Sequence, residues 1–400
     1  MKKINQIICI VTFYIIIFTV PILTFTRQHD KFLYYENRYI DSFPKYTFEK
    51  VLTGEYFNEF ENHFSSIFIG RNTILKANTI YEKVLMNKNV VNNIVIQDEI
   101  LLPYNKHGVF YSNKINEYAC EAVSKIKEIK DALESIGVKY YYVGVPEQMS
   151  YFSDKYPKYF NNGDEHFNLI DEAMKKESAK QNVNFISLKS HFKTLKDEEL
   201  KEELYFKTDH HFTYYGAFKA YEKIMEVVNK DFDNKFFTYK EEDIKFEKLD
   251  NVFVGSLSRK LMMLFSKDEK AIYPIKQEFD YVKYDNDDLD NPKYEMIEDV
   301  RNQDTNVTYS IYMGGDIAHT VVKTNREELP NVLVYGDSFT NPLETLFYAS
   351  FNEMHSIDYR FYKDKNLLKY VKDNDIDLVI AVKDDTSYFN NEGNGADLIK

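Results

Sequence analysis

Tryptophan is absent from this 400-residue chain, cysteine occurs twice and glycine only 13 times. So little glycine excludes a collagen-like chain, and two cysteines cannot build the framework of a small disulfide scaffold. Basic charge is also in deficit, with 51 Lys and Arg against 64 Asp and Glu and a formal charge of −13. No Lys/Arg block breaks that balance, which argues against a nucleic-acid partner because a phosphate backbone requires a basic face. The missing Trp is set against 33 Tyr and 31 Phe, a skew that reads as codon bias rather than function. What remains is ordinary globular composition, 44% hydrophobic and 29% charged, enough for one large domain or two modest ones.

Charge is missing altogether between Ile4 and Thr26. Within that run Ile7 to Phe25 is apolar except for Thr12, Thr19 and Thr24, close to the ~20 residues a helix needs to cross a bilayer. A buried core helix would show a polar face, and none interrupts the run. A cleaved signal peptide is the rival, but it would have a shorter apolar region and a small-x-small site. The expectation is an uncleaved single-pass anchor in the cell membrane. Lys2 and Lys3 before it, with Arg27, Asp30 and Lys31 after it, favour a cytoplasmic N-terminus and an extracellular C-terminal domain. Cys9 falls inside the anchor, so Cys120 is alone outside it and no intramolecular disulfide forms there. Its place in an amphipathic pattern predicts a small buried hydrophobe.

Residues 27–111 read as an N-terminal region packing on the catalytic domain, with helices around Tyr56–Phe68 and after Arg71, and short strands at Ile94–Gln97 and Leu101–Tyr104. From Ile115 the apolar positions 115, 119, 122, 123, 126, 129, 133 and 136 keep helical spacing. Strands are then predicted at Lys139–Val145 and Asn184–Leu188, and a helix at Tyr214–Val228. Residues 232–330 are polar, Asp-rich and aperiodic, and read as an insertion with its own small β structure. Alternation resumes with a strand at Asn331–Tyr335, a helix from about Asn341, a strand at Ser356–Phe361, a helix near Asn366–Asp373 and a strand at Asp377–Val382. The fold class is α/β with a parallel sheet, its domain made of residues 112–231 and 331–400.

Two constellations could carry chemistry. Gly336-Asp337-Ser338 directly follows an apolar strand and precedes a helix, which puts the serine at the carboxyl edge of a parallel sheet, where open α/β folds bind ligands. Backbone N–H groups at the helix start could stabilise an oxyanion there, although the same tripeptide also serves simply as a capping turn. Thr208-Asp209-His210-His211 stands before the helix at 214. A nucleophilic serine needs a base, and the base needs a carboxylate to hold its tautomer; Asp209 and His211 supply that pair. Alternatives are an N-cap with incidental histidines, or a metal held by Asp209, His210 and His211. The other seven histidines are scattered and no HExxH spacing occurs, so neither a metal nor a cofactor is expected.

These residues resemble the SGNH-hydrolase-like proteins of the DHHW group and their relatives, the alginate O-acetyltransferases AlgJ and AlgX. The likeness rests on Glu36-Asn37-Arg38 with Ser42-Phe43-Pro44 and Gly70-Arg71, on KTDHHFTYYGAFKAY at Lys207–Tyr221, on VYGDSF at Val334–Phe339 and on IDYRFY at Ile357–Tyr362. It implies a circularly permuted SGNH-like, flavodoxin-like three-layer domain. Ser338 would be the nucleophile, His211 the general base, Asp209 its orienter, and His210 secondary. Arg360 would be a substrate or oxyanion contact, with an ion pair to Asp358 as its alternative role. Phe212 replaces the namesake tryptophan. Lys383-Asp384-Asp385 stands where a Gly-x-Asn-Asp block is usual, which leaves the side-chain oxyanion donor unassigned, with Asn390 and Asn391 in reach along the chain. The implied function is O-acyl transfer, most simply acetyl, to a cell-envelope or exopolysaccharide acceptor, with a multi-spanning membrane acyltransferase as acyl donor. The alternatives are a polysaccharide acetylesterase, or a degenerate protein that binds polysaccharide or an assembly partner.

Overall fold

The computed structural model describes the chain except residues 1, 98–99, 105–113, 159, 161–163, 234, 266–267, 364–365, 391–397 and 399–400. The boundary expected at 111/112 lies outside the described residues. The chain divides into two compact units: Met1–Ile96 with Ser256–Ser266, and Gln97–Gly255 with Lys267–Lys400.

The first unit begins with a helix over Lys2–Thr26, of which Ile4–Thr26 is long and apolar enough to cross a membrane. Helices Phe48–Thr53, Glu55–Ile67 and Arg71–Ile80 follow. The Glu36, Arg38 and Arg71 side chains meet: Glu36 pairs with Arg38 at 2.8 Å and with Arg71. Arg38 also donates to Ser66 Oγ at 2.9 Å. The first of the family-like motifs is therefore a structural clasp, tying the residues after the N-terminal helix to the helices at 55 and 71.

The second unit is built on one sheet. Its strands are β1 Lys139–Val145, β2 Phe185–Ser187, β3 Val282–Asp285, β4 His319–Lys323, β5 Val332–Tyr335, β6 Glu353–Ile357 and β7 Leu378–Asp384. Their spatial order is β3-β4-β6-β5-β7-β1-β2. The five from β6 to β2 are parallel, and β4 and β3 add an antiparallel edge. Counted from β5 onward and around through the chain ends, the parallel part has the order 2-1-3-4-5 of flavodoxin-like folds, which establishes the circularly permuted arrangement. Strands of such a sheet are covered on both faces and read as continuous apolar runs, which is why KYYYVGV and LVIAV were legible as strands.

The longer helices of this unit include α1 Ile115–Glu134, α2 Asp164–Lys180, α3 Tyr214–Asp231, α4 Thr340–Phe347 and α5 Leu367–Asp373. Alternation along β1 sorts the layers. Tyr140 and Tyr142 join a core with α1, α2 and α5, whereas Tyr141 on the opposite face donates to Asp231 at the end of α3 at 2.8 Å. On that second face Tyr214 of α3 meets Thr345 of α4 at 2.9 Å, and Glu344 of α4 accepts from Ser356 of β6 at 2.6 Å. Residues 232–330 supply an antiparallel pair, Ile244–Lys248 with Ile272–Lys276, as well as β3 and β4.

Two local expectations are corrected. The strand expected at Ser356–Phe361 is Glu353–Ile357. Asp358 ends it, because its carboxylate accepts the Arg360 N–H at 2.9 Å while its carbonyl accepts those of Phe361 and Tyr362, a turn that an Asp side chain stabilises. Cys120, expected to be buried, is half-buried on α1.

Candidate active site

Chain reversal after β5 creates the first half of the site. Gly336 donates its N–H to Ile357 O at 3.1 Å, and a Cβ there would lie 2.5 Å from Val382 O of β7. Only glycine lets the turn pass that close to the neighbouring strand. Asp337 Oδ1 accepts the Phe339 N–H at 3.0 Å and Asp337 O accepts that of Thr340 at 2.9 Å, so the chain enters α4 immediately. Ser338 is thereby held at the carboxyl end of β5, between β6 and β7, the point where the strand order reverses and ligands bind. Its own N–H has no partner among the described residues and is open to a developing oxyanion.

The second half is the bend before α3. Its base is closed by Phe206 N–H to His211 O at 3.2 Å and Thr213 N–H to Leu204 O at 2.8 Å. The bend is gripped from outside by Glu269, whose carboxylate accepts from Lys207 N at 2.6 Å, Thr208 N at 3.0 Å and Thr208 Oγ1 at 2.5 Å. Burial pushes that carboxyl above its usual range, against these three donors. Gly255 lies against the bend so closely that a Cβ would meet Thr208 O at 2.1 Å.

The two halves meet. Asp209, buried, accepts from the His211 backbone N–H at 3.1 Å, and its Oδ1 stands 2.6 Å from His211 Nδ1. His211 Nε2 stands 2.6 Å from Ser338 Oγ. With the proton on Nδ1, facing the carboxylate, Nε2 is the free base facing the serine. His211 is held in plane by Tyr309, stacked at 3.9 Å and 5°, and by the edge of Phe339 at 5.0 Å. The Tyr309 hydroxyl is buried without a partner among the described residues, so its contribution is the ring.

The His210 ring lies 3.8 Å from that of His211. It is about one-third exposed, and its Nδ1 is 3.5 Å from Asp209. Asp209, His210 and His211 do offer ligand atoms within 4.8 Å of one another. A tetrahedral ion bonded at about 2 Å to both Asp209 and His211 would hold those atoms roughly 3.3 Å apart. Binding through His211 Nδ1 would have to open the 2.6 Å hydrogen bond to Asp209.

A cavity of about 290 Å³ opens over Ser338, lined among others by His210, Arg360, Asp384 and Asn390. Arg360 is on the turn after β6 rather than in the strand. It makes a two-toothed ion pair with Asp358 at 2.6–3.1 Å and reaches Asp316 at 3.5 Å, yet 40% of its side chain stays exposed. Asn390 is on the cavity wall, and Asn391 lies outside the described residues. Burial, then the neighbouring Asp384, push the Asp337 carboxyl up to about 6. Beneath the wall Asp385 accepts from Glu147 N at 3.0 Å and from Ser150 Oγ, and burial pushes it up to about 7.

Glu269, Tyr309, Gly255 and Asp385 were not found from the sequence. The first three lie in the aperiodic segment or at its edge, and Asp385 registered only as a departure from an expected block.

A three-layer sheet of flavodoxin order with a serine at its switch point defines an SGNH-like domain. The model of the family described as SGNH hydrolase-like domain, acetyltransferase AlgX matches residues 107–306, half the chain, and the chain belongs to that family. Its chemical class is accordingly that of the acetyltransferases and esterases. The matched span contains Asp209 and His211 and ends before Ser338. Among solved structures the chain is similar to PatB1 of Bacillus cereus carrying a sulfonyl adduct: 24% identity, TM-score 0.58, covering 75% of this chain and 96% of that one. It is also similar to a DHHW family protein from Eubacterium siraeum, at 20% identity and TM-score 0.54, covering 77% and 95%. No curated protein matches.

Proposed function

We propose that the chain is an outward-facing, membrane-anchored O-acetyltransferase that acts on a cell-envelope or exopolysaccharide through Ser338, His211 and Asp209. The observation that carries this reading is the unbroken line from Asp209 to His211 to Ser338, two hydrogen bonds of 2.6 Å each. Ser338 Oγ attacks the acyl carbonyl as its proton passes to His211 Nε2, and Asp209 stabilises the imidazolium. The oxyanion forms opposite the Ser338 N–H. Collapse expels the donor's leaving group, which takes the proton from His211 and leaves an ester on Ser338. A sugar hydroxyl then attacks this ester and gives its proton to His211, which returns it to Ser338 Oγ as the acylated sugar departs, with Arg360 on the cavity wall as a contact for the acceptor. Ile4–Thr26 is the anchor, and a multi-spanning membrane acyltransferase is the supplier of acyl groups.

The test incubates the full chain with a chromogenic acetyl ester, with and without an oligosaccharide acceptor. Chromophore release should require Ser338, His211 and Asp209, should rise with acceptor, and should leave acetyl ester on the sugar. Release without any acetylated sugar would make the protein an esterase. No release from the wild type would leave a polysaccharide-binding protein.

A further inference from the structure

The helices that follow the N-terminal span expose an unusual number of large apolar side chains. Phe43, Tyr46, Phe48, Leu52 and Phe57 are each more than half exposed, although they lie within about fifteen residues of one another in sequence. Soluble surfaces do not gather aromatic rings this way without a partner.

Their position is fixed by the end of the span. Phe25, in its last turn, packs its ring on Phe60 at 6.3 Å and Phe64 at 5.6 Å, both on helix Glu55–Ile67. Thr24, fully buried, accepts from Ile69 N at 3.3 Å, and Arg27 donates to Ile67 O at 3.0 Å. Phe43 in turn packs on Phe60 at 5.9 Å, and Tyr46 on Tyr56 at 6.0 Å. A helix over Ile4–Thr26 rises about 34 Å, so its last turn stands at the outer edge of ~30 Å of hydrocarbon. Anything clasped to Phe25 shares that depth. On helix Glu55–Ile67 Phe57, Phe60 and Phe64 share a face whose rim carries the exposed Glu61, while Glu55 and Asn62 are on the opposite side.

We propose that residues 43–64 form an interfacial wedge, with Phe43, Phe48, Leu52 and Phe57 inserted at the boundary of headgroups and acyl chains of the outer leaflet. The inference rests on reading Ile4–Thr26 as a membrane span. Aromatic rings favour that depth because they offer an apolar body to the lipid and tolerate the wet boundary, and an amphipathic helix lies there with its charged side toward water. The wedge fixes the orientation of this unit on the membrane, which a single flexible tether would leave free.

The test uses the full chain, with Cys9→Ala and Cys120→Ala, in phosphatidylcholine vesicles. An environment-sensitive dye is attached in turn at Phe43→Cys, Phe57→Cys, Asn62→Cys and Ile16→Cys. The expected result is blue-shifted emission at 43 and 57 that is lost to a shallow nitroxide lipid and kept in aqueous iodide, with the reverse at 62 and lipid quenching at 16. Iodide quenching at 43 and 57 with lipid quenching at 16 would overturn the wedge and leave the span standing. Shielding of 43 and 57 from both quenchers would assign the face to a protein contact and also overturn it. Iodide quenching at 16 would remove the span, and the wedge with it.

Discussion

Tyr309 and Asp385 show how single residues outside the motifs shape the site. Tyr309 presents only its ring to His211, and its buried hydroxyl has no partner among the described residues. Tyr309→Phe should therefore keep full acyl turnover and unfold at the same or a slightly higher temperature, since a buried unpaired hydroxyl costs about 1–3 kcal/mol. Tyr309→Ala should lower kcat more than KM, because His211 loses the plane that aims Nε2 at Ser338. Equal losses in the two variants would show that the hydroxyl, not the ring, matters. Asp385 makes a pH prediction. Its carboxyl is raised by burial to about 7 in the folded chain and titrates near 4 when unfolded. Between those values the folded state binds the extra proton, so this group's contribution to stability falls as pH rises from 4 to 7 and is lost above 7. Asparagine mimics the protonated form. Asp385→Asn should gain stability relative to wild type from pH 5 to pH 8, measured as the difference in urea midpoint at the two values; a constant difference would contradict the assignment.

Among the elements, β5 with its turn and the bend before α3 are each legible in sequence, because each is a local motif at the end of an apolar or amphipathic run. The strand at Lys139–Val145 was read to the residue for the same reason: both of its faces are covered. β6 was misplaced because Ile357-Asp358-Tyr359-Arg360-Phe361 has strand-like alternation, and only the Asp358 side chain turning back on Arg360 N–H ends it. The edge strands β3 and β4 are polar and pair with partners far along the chain, which no local period records. Glu269 is the clearest case at the site. Nothing around it in sequence marks it, yet it holds two backbone N–H groups and a hydroxyl of the Asp209 bend. Hydrogen bonds to a charged acceptor contribute about 1.5–3 kcal/mol each. Glu269→Ala should lower unfolding stability by several kcal/mol and depress turnover, whereas Glu269→Gln, which keeps an acceptor, should recover part of both. Unchanged turnover in Glu269→Ala would show that the bend holds its own shape.

At the scale of the whole molecule, the permuted chain order brings Asp209 and His211 to a serine more than 120 residues later, at the switch point of a single sheet. The account depends on these three acting as one nucleophilic unit. The most direct measurement is the site and stoichiometry of reaction with an arylsulfonyl fluoride, read by peptide mass spectrometry on the full chain. The serine oxygen displaces fluoride as His211 takes its proton, and the sulfonyl ester does not turn over. The account predicts one sulfonyl group per chain, on Ser338, lost in His211→Ala and strongly slowed in Asp209→Ala. Its contradiction would be an unmodified Ser338, or a Ser338 that is modified as fast in His211→Ala as in the wild type.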